Sequence, residues 1–313
     1  MKGMLKRVIP VTAKLASTLR KLKEISVCSD PECKYSRALM RRFSHGGGSI
    51  QISGKRYCFP KCFDRALFRK LQQLPPQRDT EPARSHRVPL GLLMLSRGEV
   101  DAGQLQRALQ AQRQSRSGYI GEWLLKLGFA DEQQIASALA AQWSCPVLRA
   151  FPQHPQSVRV PFPLLEAFGM APAYYIENTK TMHVAFAGRI EYRALSCIEE
   201  ALQCNAVPCM TSTSALAGAL NRMREISVRT DHYFESVRSF EEIARITSSY
   251  ADTLGAENVQ LTACGGFVWC RVEAGSNSAS LLFSRIGTEA MGPAIPVQRA
   301  APPLGALSAS AGK

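Results

Sequence analysis

A seven-position pattern occurs twice in this chain, thirty residues apart, and it limits the folds open to the segment that contains it. The first copy consists of Leu90, Gly91, Met94, Gly98, Leu105, Leu109 and Gln112, and the second of Ile120, Gly121, Leu124, Gly128, Ile135, Leu139 and Gln142. A repeat of this length is one supersecondary unit used twice. Each copy predicts a short helix, a glycine turn and a longer helix. Residues 89–145 are therefore expected to form two packed helical hairpins.

The longer helix of each copy has its own start signal and its own apolar face. Asp101 and Asp131 occupy the N-cap position, where a carboxylate accepts hydrogen bonds from free backbone N–H groups. Apolar residues then recur at helical spacing and predict a buried stripe on each helix. They are Leu105, Ala108 and Leu109 in the first copy, and Ile135, Ala138 and Leu139 in the second.

The spacing resembles the tandem motif in the N-terminal domain of type II secretion and type IV pilus assembly ATPases (the GspE, PilB and MshE group). Some members of that family bind cyclic di-GMP with this motif. The family's first-position arginine is replaced by Pro89 and Tyr119 here. The resemblance implies the ligand contacts Leu90, Gly91, Gly98, Gln112, Ile120, Gly121, Gly128 and Gln142, and a compact α/β portion over residues 146–225. Alternatively, the glycines are turn residues and the glutamines are surface residues at helix ends.

Four cysteines before the repeat have the spacing of metal ligands. Cys28 and Cys33 form one close pair, and Cys58 and Cys62 form the other. Structural zinc sites take four ligands in this arrangement, and zinc binds thiolates well. The string from Tyr57 to Phe63 also resembles half of a small treble-clef-like zinc module. The sequence therefore predicts a structural zinc module over residues 26–71, because disulfides require an oxidising compartment and four unrelated cysteines rarely fall into pairs.

Charge is concentrated at the start of the chain. Residues 1–88 contain 20 lysines and arginines against 6 acidic residues, which accounts for the whole formal net charge of +14. A basic segment of this kind favours weak, salt-sensitive contact between residues 1–70 and nucleic acid or another anionic surface. The alternative is a solubilising arm with no specific partner. Basic residues interrupt any apolar region over residues 1–25, which argues against a signal peptide, and no apolar run approaches the ~20 residues of a membrane span.

The rest of the sequence predicts one more structured unit and two connecting segments. Residues 72–88 are proline-rich and are expected to form a linker, and residues 289–313 are expected to be a disordered tail. Residues 227–288 predict a helix followed by a β-hairpin. In that hairpin Gly265 and Gly266 form the two-residue turn, and Trp269 is expected to be a core aromatic.

These features predict a non-catalytic, cytoplasmic α+β protein. The phosphate-binding loop of the motor ATPases does not occur in the sequence, and no catalytic triad can be identified from spacing. The leading hypothesis is a regulatory or adaptor protein that binds a protein partner, with secretion or pilus machinery and cyclic di-GMP as candidates. The alternative is a zinc-dependent nucleic-acid-binding regulator that uses the basic N-terminal module.

Overall fold

The computed structural model describes residues 28–34, 49–74, 87–152, 160–227, 232–235 and 237–284. Within these residues, helices are combined with two mixed β-sheets, which confirms the predicted combination of helical and strand units. No helix in the described ranges has both the length and the apolar character that a membrane span requires. The expected basic arm (1–25), the expected tail (289–313) and most of the expected linker lie outside the described residues.

The first described elements form a hairpin and a helix that follow the first cysteine pair. Strand β1 (Ser49–Ile52) pairs with β2 (Lys55–Cys58) in antiparallel register, and helix α1 runs over Lys61–Gln72. The hairpin is short, and a two-stranded hairpin is at best marginally stable in water. It therefore depends on packing against other parts of the chain.

The tandem repeat forms the two helical hairpins that its spacing predicts. The first comprises α2 (Leu90–Ser96) and α3 (Ala102–Ser115), and the second comprises α4 (Ile120–Lys126) and α5 (Glu132–Trp143). Asp101 and Asp131 cap α3 and α5, each in a capping box with Gln104 or Gln134. The predicted apolar stripes pack into one core, with Leu109 and Leu139 partly buried at its margin.

A compact α/β portion follows the repeat. It contains α6 (Phe162–Phe168), β3 (Met170–Ile176), β4 (Thr181–Phe186), α7 (Tyr192–Leu202), β5 (Asn205–Met210) and α8 (Thr213–Ser227). Strand β4 is central, antiparallel to β3 and parallel to β5. The parallel pair is connected through α7, because two parallel neighbours need a crossover rather than a tight turn.

The last elements are β6 (His232–Phe234), α9 (Phe240–Leu254), β7 (Asn258–Cys264), β8 (Phe267–Ala274) and β9 (Asn277–Ser284). The predicted hairpin at Gly265 and Gly266 is confirmed, with Cys264 opposite Phe267 and Thr262 opposite Trp269. Strands β7 and β8 have buried residues on both faces of the sheet, including consecutive positions that point to opposite faces. This sheet therefore needs cover on two sides.

The N-terminal hairpin and the C-terminal strands form one sheet, although the sequence predicts separate units for residues 26–71 and 227–288. The strand order within the described residues is β2-β1-β7-β8-β9-β6, and β1 runs parallel to β7. Helices α1 and α9 lie together on one face, where Phe63 and Leu67 share a core with Ile243 and Val259. The join exists because neither segment can cover its own apolar surface.

The opposite face of this sheet is covered by the compact α/β portion. Trp269 is fully buried in the core that includes Ile198 of α7. Thr262 Oγ1 donates a hydrogen bond of 2.8 Å to Glu200 Oε2 across this contact. A Cβ atom on Gly265 would lie 2.2 Å from the ring of Phe168, so the two parts meet at the hairpin turn where only glycine fits. The protein thus has a central sheet with helices on both sides.

The tandem repeat contacts the compact portion through apolar residues of α5, including Ala140, and through Glu132, the first residue of that helix. Its carboxylate accepts hydrogen bonds from the backbone N–H (3.0 Å) and the hydroxyl of Ser214, in the first turn of α8. These hydrogen bonds outweigh the effect of burial and lower the pKa of Glu132. The carboxylate also faces the positive end of the α8 dipole.

We expect Glu132→Gln to reduce the free energy of unfolding at pH 7 by about 1 kcal/mol, because an ionised acceptor is replaced by a neutral one. A lowered folded-state pKa stabilises the fold above the ordinary value of 4.5, and this contribution disappears as the pH falls through the lowered pKa. Urea unfolding of both proteins between pH 7 and pH 3 measures the difference, which should shrink with pH. Glu122→Gln, at an exposed position of α4, is the control; an equal effect there would contradict the assignment.

Candidate metal centre

Two short segments bring the four predicted cysteine ligands together. Cys28 and Cys33 flank a tight turn in which the Cys33 N–H donates to the carbonyl of Asp30 at 3.1 Å. Cys58 ends β2, and Cys62 lies in the first turn of α1. The Ser29 N–H donates to the Arg56 carbonyl at 2.8 Å, which holds the first segment along β2.

The four sulfur atoms lie within 4.8 Å of one another. A tetrahedral zinc site with Zn–S bonds of about 2.3 Å has sulfur–sulfur distances of about 3.8 Å, so a small contraction suffices to complete one. Cys33 and Cys62 are buried, and Cys28 and Cys58 are half-buried. The predicted clustering of these four residues is confirmed, and the identity of the metal stays a prediction.

The electrostatics of the cluster favour a cation. Burial, followed by the neighbouring Cys28 and Cys33 sulfurs, raises the pKa of Cys58 to about 12. Burial, Cys33 and Asp30 raise the pKa of Cys62 as well. Four sulfurs at this separation resist ionisation while no positive charge stands among them, and a soft divalent cation relieves that repulsion. The donor set therefore fits zinc.

A buried carboxylate holds the two halves of the site together. The side chain of Asp30 is fully buried and binds two arginines of α1, Arg65 through Nε at 3.0 Å and Arg69 through Nη1 at 3.2 Å. Burial raises the pKa of Asp30, but the hydrogen bonds from Arg65, the Glu32 backbone and Cys62 lower it by more. Asp30 therefore remains ionised inside the module. The spacing of the cysteines, on which the prediction of this module rests, does not indicate this role of Asp30.

The glycines predicted as ligand contacts in the tandem repeat all have roles in the fold. Gly98 and Gly128 have φ angles of +69° and +68°, in the left-handed region that favours glycine, and each lies two residues after the end of its short helix, α2 or α4. Gly91 and Gly121 are buried where short and long helices meet. A Cβ on Gly91 would lie 2.5 Å from Leu105 Cδ1, and one on Gly121 would lie 3.2 Å from Leu90 Cδ2.

The two predicted glutamines link the copies reciprocally. Gln112 of the first copy donates to the carbonyl of Gly118, at the entrance to the second copy, at 2.9 Å. Gln142 of the second copy donates to the carbonyl of Val88, the equivalent position before the first copy, at 2.7 Å. Leu90 is buried and Ile120 is packed at the margin of the same core. All eight residues thus contribute to folding, and their role in ligand binding stays a prediction.

No protein-family model and no curated protein matches this sequence. Solved structures show partial similarity to it. The structure of MshE with cdg is 23% identical with a TM-score of 0.36, covering 44% of this chain and 99% of the other. The N-terminal domain of XpsE, in two crystal forms, is 18% and 19% identical with TM-scores of 0.35 and 0.26. Each covers 47% of this chain and nearly all of the XpsE domain.

Proposed function

We propose that this protein is a non-catalytic regulatory or adaptor protein with a structural zinc ion, and that it binds a protein partner. The observation that carries the zinc part of the proposal is the convergence of four thiols from two segments within 4.8 Å. Four thiolates leave zinc no open coordination position for water or substrate, so such a centre organises the chain. A cytoplasmic setting, which we also propose, would keep these thiols reduced and available to the metal.

Metal analysis of the purified intact protein tests the zinc part of the proposal. We expect one zinc ion per chain, removable by a strong chelator and restored by added zinc. A metal-free protein that takes up no zinc on titration would contradict it. In the metal centre, Cys28, Cys33, Cys58 and Cys62 would be the ligands.

The tandem repeat is the part of the protein that we propose binds the protein partner. We propose that it is related to the N-terminal domain of secretion or pilus ATPases, on the strength of its repeated motif, and that secretion or pilus machinery supplies the partner. Leu92, Tyr119 and Leu127 of this region expose 53%, 73% and 40% of their surface. We offer these three exposed side chains as candidate contacts for that partner.

Cyclic di-GMP is the proposed regulatory ligand of the repeat, and calorimetric titration of the intact chain tests it. If the nucleotide binds, we expect Gln112→Ala to weaken binding about tenfold, roughly the 1–1.5 kcal/mol of one hydrogen bond. Gln110→Ala, at an exposed position on the same helix, is the matched control and should bind like the parent. Glycine substitutions are poor probes here, because Gly91 and Gly121 are packed against leucine and isoleucine side chains. An absence of heat at high protein concentration would contradict this part of the proposal.

The alternative function, nucleic-acid binding by residues 1–70, is favoured by the charge of the first 88 residues. It predicts an affinity that falls steeply with salt. Deleting residues 1–70 does not test it cleanly, because the deletion removes β1 and β2 from the shared sheet. The affinity of the intact chain for labelled DNA, measured by anisotropy, is compared with that of a variant lacking the exposed Lys55 and Lys61 charges. A weaker affinity of the variant is expected if residues 1–70 bind nucleic acid.

A further inference from the structure

One arginine stands beside the sulfur cluster. Arg65 lies three residues after Cys62 on α1, a spacing that places both side chains on the same face of the helix. Its Nη2 atom is 3.8 Å from Cys62 Sγ, within reach of an N–H···S hydrogen bond. The backbone supplies a second contact of this type, from the Cys58 N–H to Cys28 Sγ at 3.4 Å. Donors therefore approach the cluster from two sides.

The position of Arg65 is set by Asp30. The same guanidinium that approaches Cys62 is bound to Asp30 Oδ2 through both Nε and Nη2. The other carboxylate oxygen, Oδ1, accepts from the Glu32 N–H at 3.3 Å and from Arg69 at 3.2 Å. Asp30 is fully buried and lies between Cys28 and Cys33 in the sequence. It therefore binds the Arg65 guanidinium to the same segment that supplies the first two cysteine ligands.

Four thiolates around a divalent cation leave a net charge of −2, which makes the sulfur atoms good acceptors of hydrogen bonds from N–H donors. Hydrogen bonds to a metal-bound sulfur withdraw electron density from it and orient it, and such outer contacts tune metal sites strongly. We propose that Arg65 is a positioning residue of the metal centre. Asp30 holds its guanidinium in place, and the guanidinium donates a hydrogen bond to Cys62 Sγ and thereby increases retention of the metal. This inference rests on the proposed zinc site and assigns a role to a residue that the sequence did not single out.

Arg69 provides a matched control for Arg65. Both arginines are on α1 and both bind Asp30. The Arg65 side chain is 41% exposed and the Arg69 side chain is 39% exposed. The hydrogen bonds of Arg69 go to Asp30 and Glu32. Replacing either arginine by glutamine removes one charge and one partner of Asp30. Only Arg65→Gln removes the contact with Cys62 Sγ, and it also removes a second hydrogen bond to Asp30, so the cobalt spectrum is the readout that reports the sulfur contact itself.

The experiment compares metal retention and the cobalt spectrum in the intact chain. We expect Arg65→Gln to lower zinc affinity about tenfold or more in competition with a chelator, and Arg69→Gln to change it less than about threefold. In the cobalt-loaded protein, Arg65→Gln should shift the thiolate-to-metal charge-transfer band, while Arg69→Gln should leave it in place. Arg65→Lys keeps the charge and should recover part of the affinity, which guards against a variant that fails to fold.

The outcomes separate this inference from the proposed function. If the parent protein binds neither zinc nor cobalt, the metal centre itself is wrong. If the parent binds one metal and the two glutamine variants match each other in affinity and spectrum, the metal centre stands and the role of Arg65 is overturned. A common loss in both variants would assign the arginines only to the folding of the Asp30 segment.

Discussion

Replacing Cys62 by serine should abolish binding of the proposed zinc ion and destabilise both ends of the chain at once. A hydroxyl is a poor zinc ligand, and structural zinc contributes about 10–16 kcal/mol of apparent binding free energy in small zinc modules. Cys62 is buried in the first turn of α1, which packs against α9. Because β1 is paired with β7, loosening of the segment that carries the four cysteines should reach residues 258–284.

Zinc content per chain and hydrogen exchange measure this effect. We expect exchange to accelerate in α1 and in β7–β9, and to stay slow in the tandem repeat, whose core is separate. Cys204→Ser is the control, because Cys204 is half-buried and lies outside the cluster of four. Faster exchange confined to residues 28–72 would show that the shared sheet does not couple the two ends.

Replacing Trp269 by alanine should cost about 3–5 kcal/mol, the range for removing a large aromatic side chain from a core. Trp269 is fully buried on the sheet face that meets the compact α/β portion, in one core with Phe168 and Ile198. Its removal would leave a cavity between the two parts of the molecule. Urea unfolding of the intact chain measures the loss.

Trp269→Phe is the matched control for the alanine variant. Within the described residues the indole N–H is buried and has no hydrogen-bond partner, so phenylalanine removes an unsatisfied group and leaves only a small void. We expect a loss below about 1.5 kcal/mol. Equal losses in the two variants would show that the cavity is not the cause of the destabilisation.

Features encoded in neighbouring residues were predictable from spacing. The predicted N-cap residues Asp101 and Asp131 occur where expected, and each also forms a capping box with the glutamine three residues later. The register of β7 and β8 follows from the Gly265–Gly266 turn, because a two-residue turn leaves only one alignment of alternating side chains. The two cysteine pairs likewise converge as predicted.

Features that depend on distant segments were not predictable. Asp30 contacts Arg65 and Arg69, which are 35 and 39 residues away, and nothing in the local sequence relates a turn aspartate to those arginines. The reciprocal hydrogen bonds of Gln112 and Gln142 also depend on how the two copies face each other. The sequence offered those glutamines as implied ligand contacts or as surface residues at helix ends, and neither interpretation indicates a contact between the copies.

The sequence by itself determined the repeated helical hairpins, their caps, the C-terminal hairpin and the two pairs of thiols, because each depends on side chains a few positions apart. Only the tertiary structure decided that β1 joins β7 across more than 200 residues, and that one sheet is covered by α1 and α9 on one face and α7 on the other. Strand pairing at that distance depends on which edges and apolar faces remain uncovered once every local element has formed.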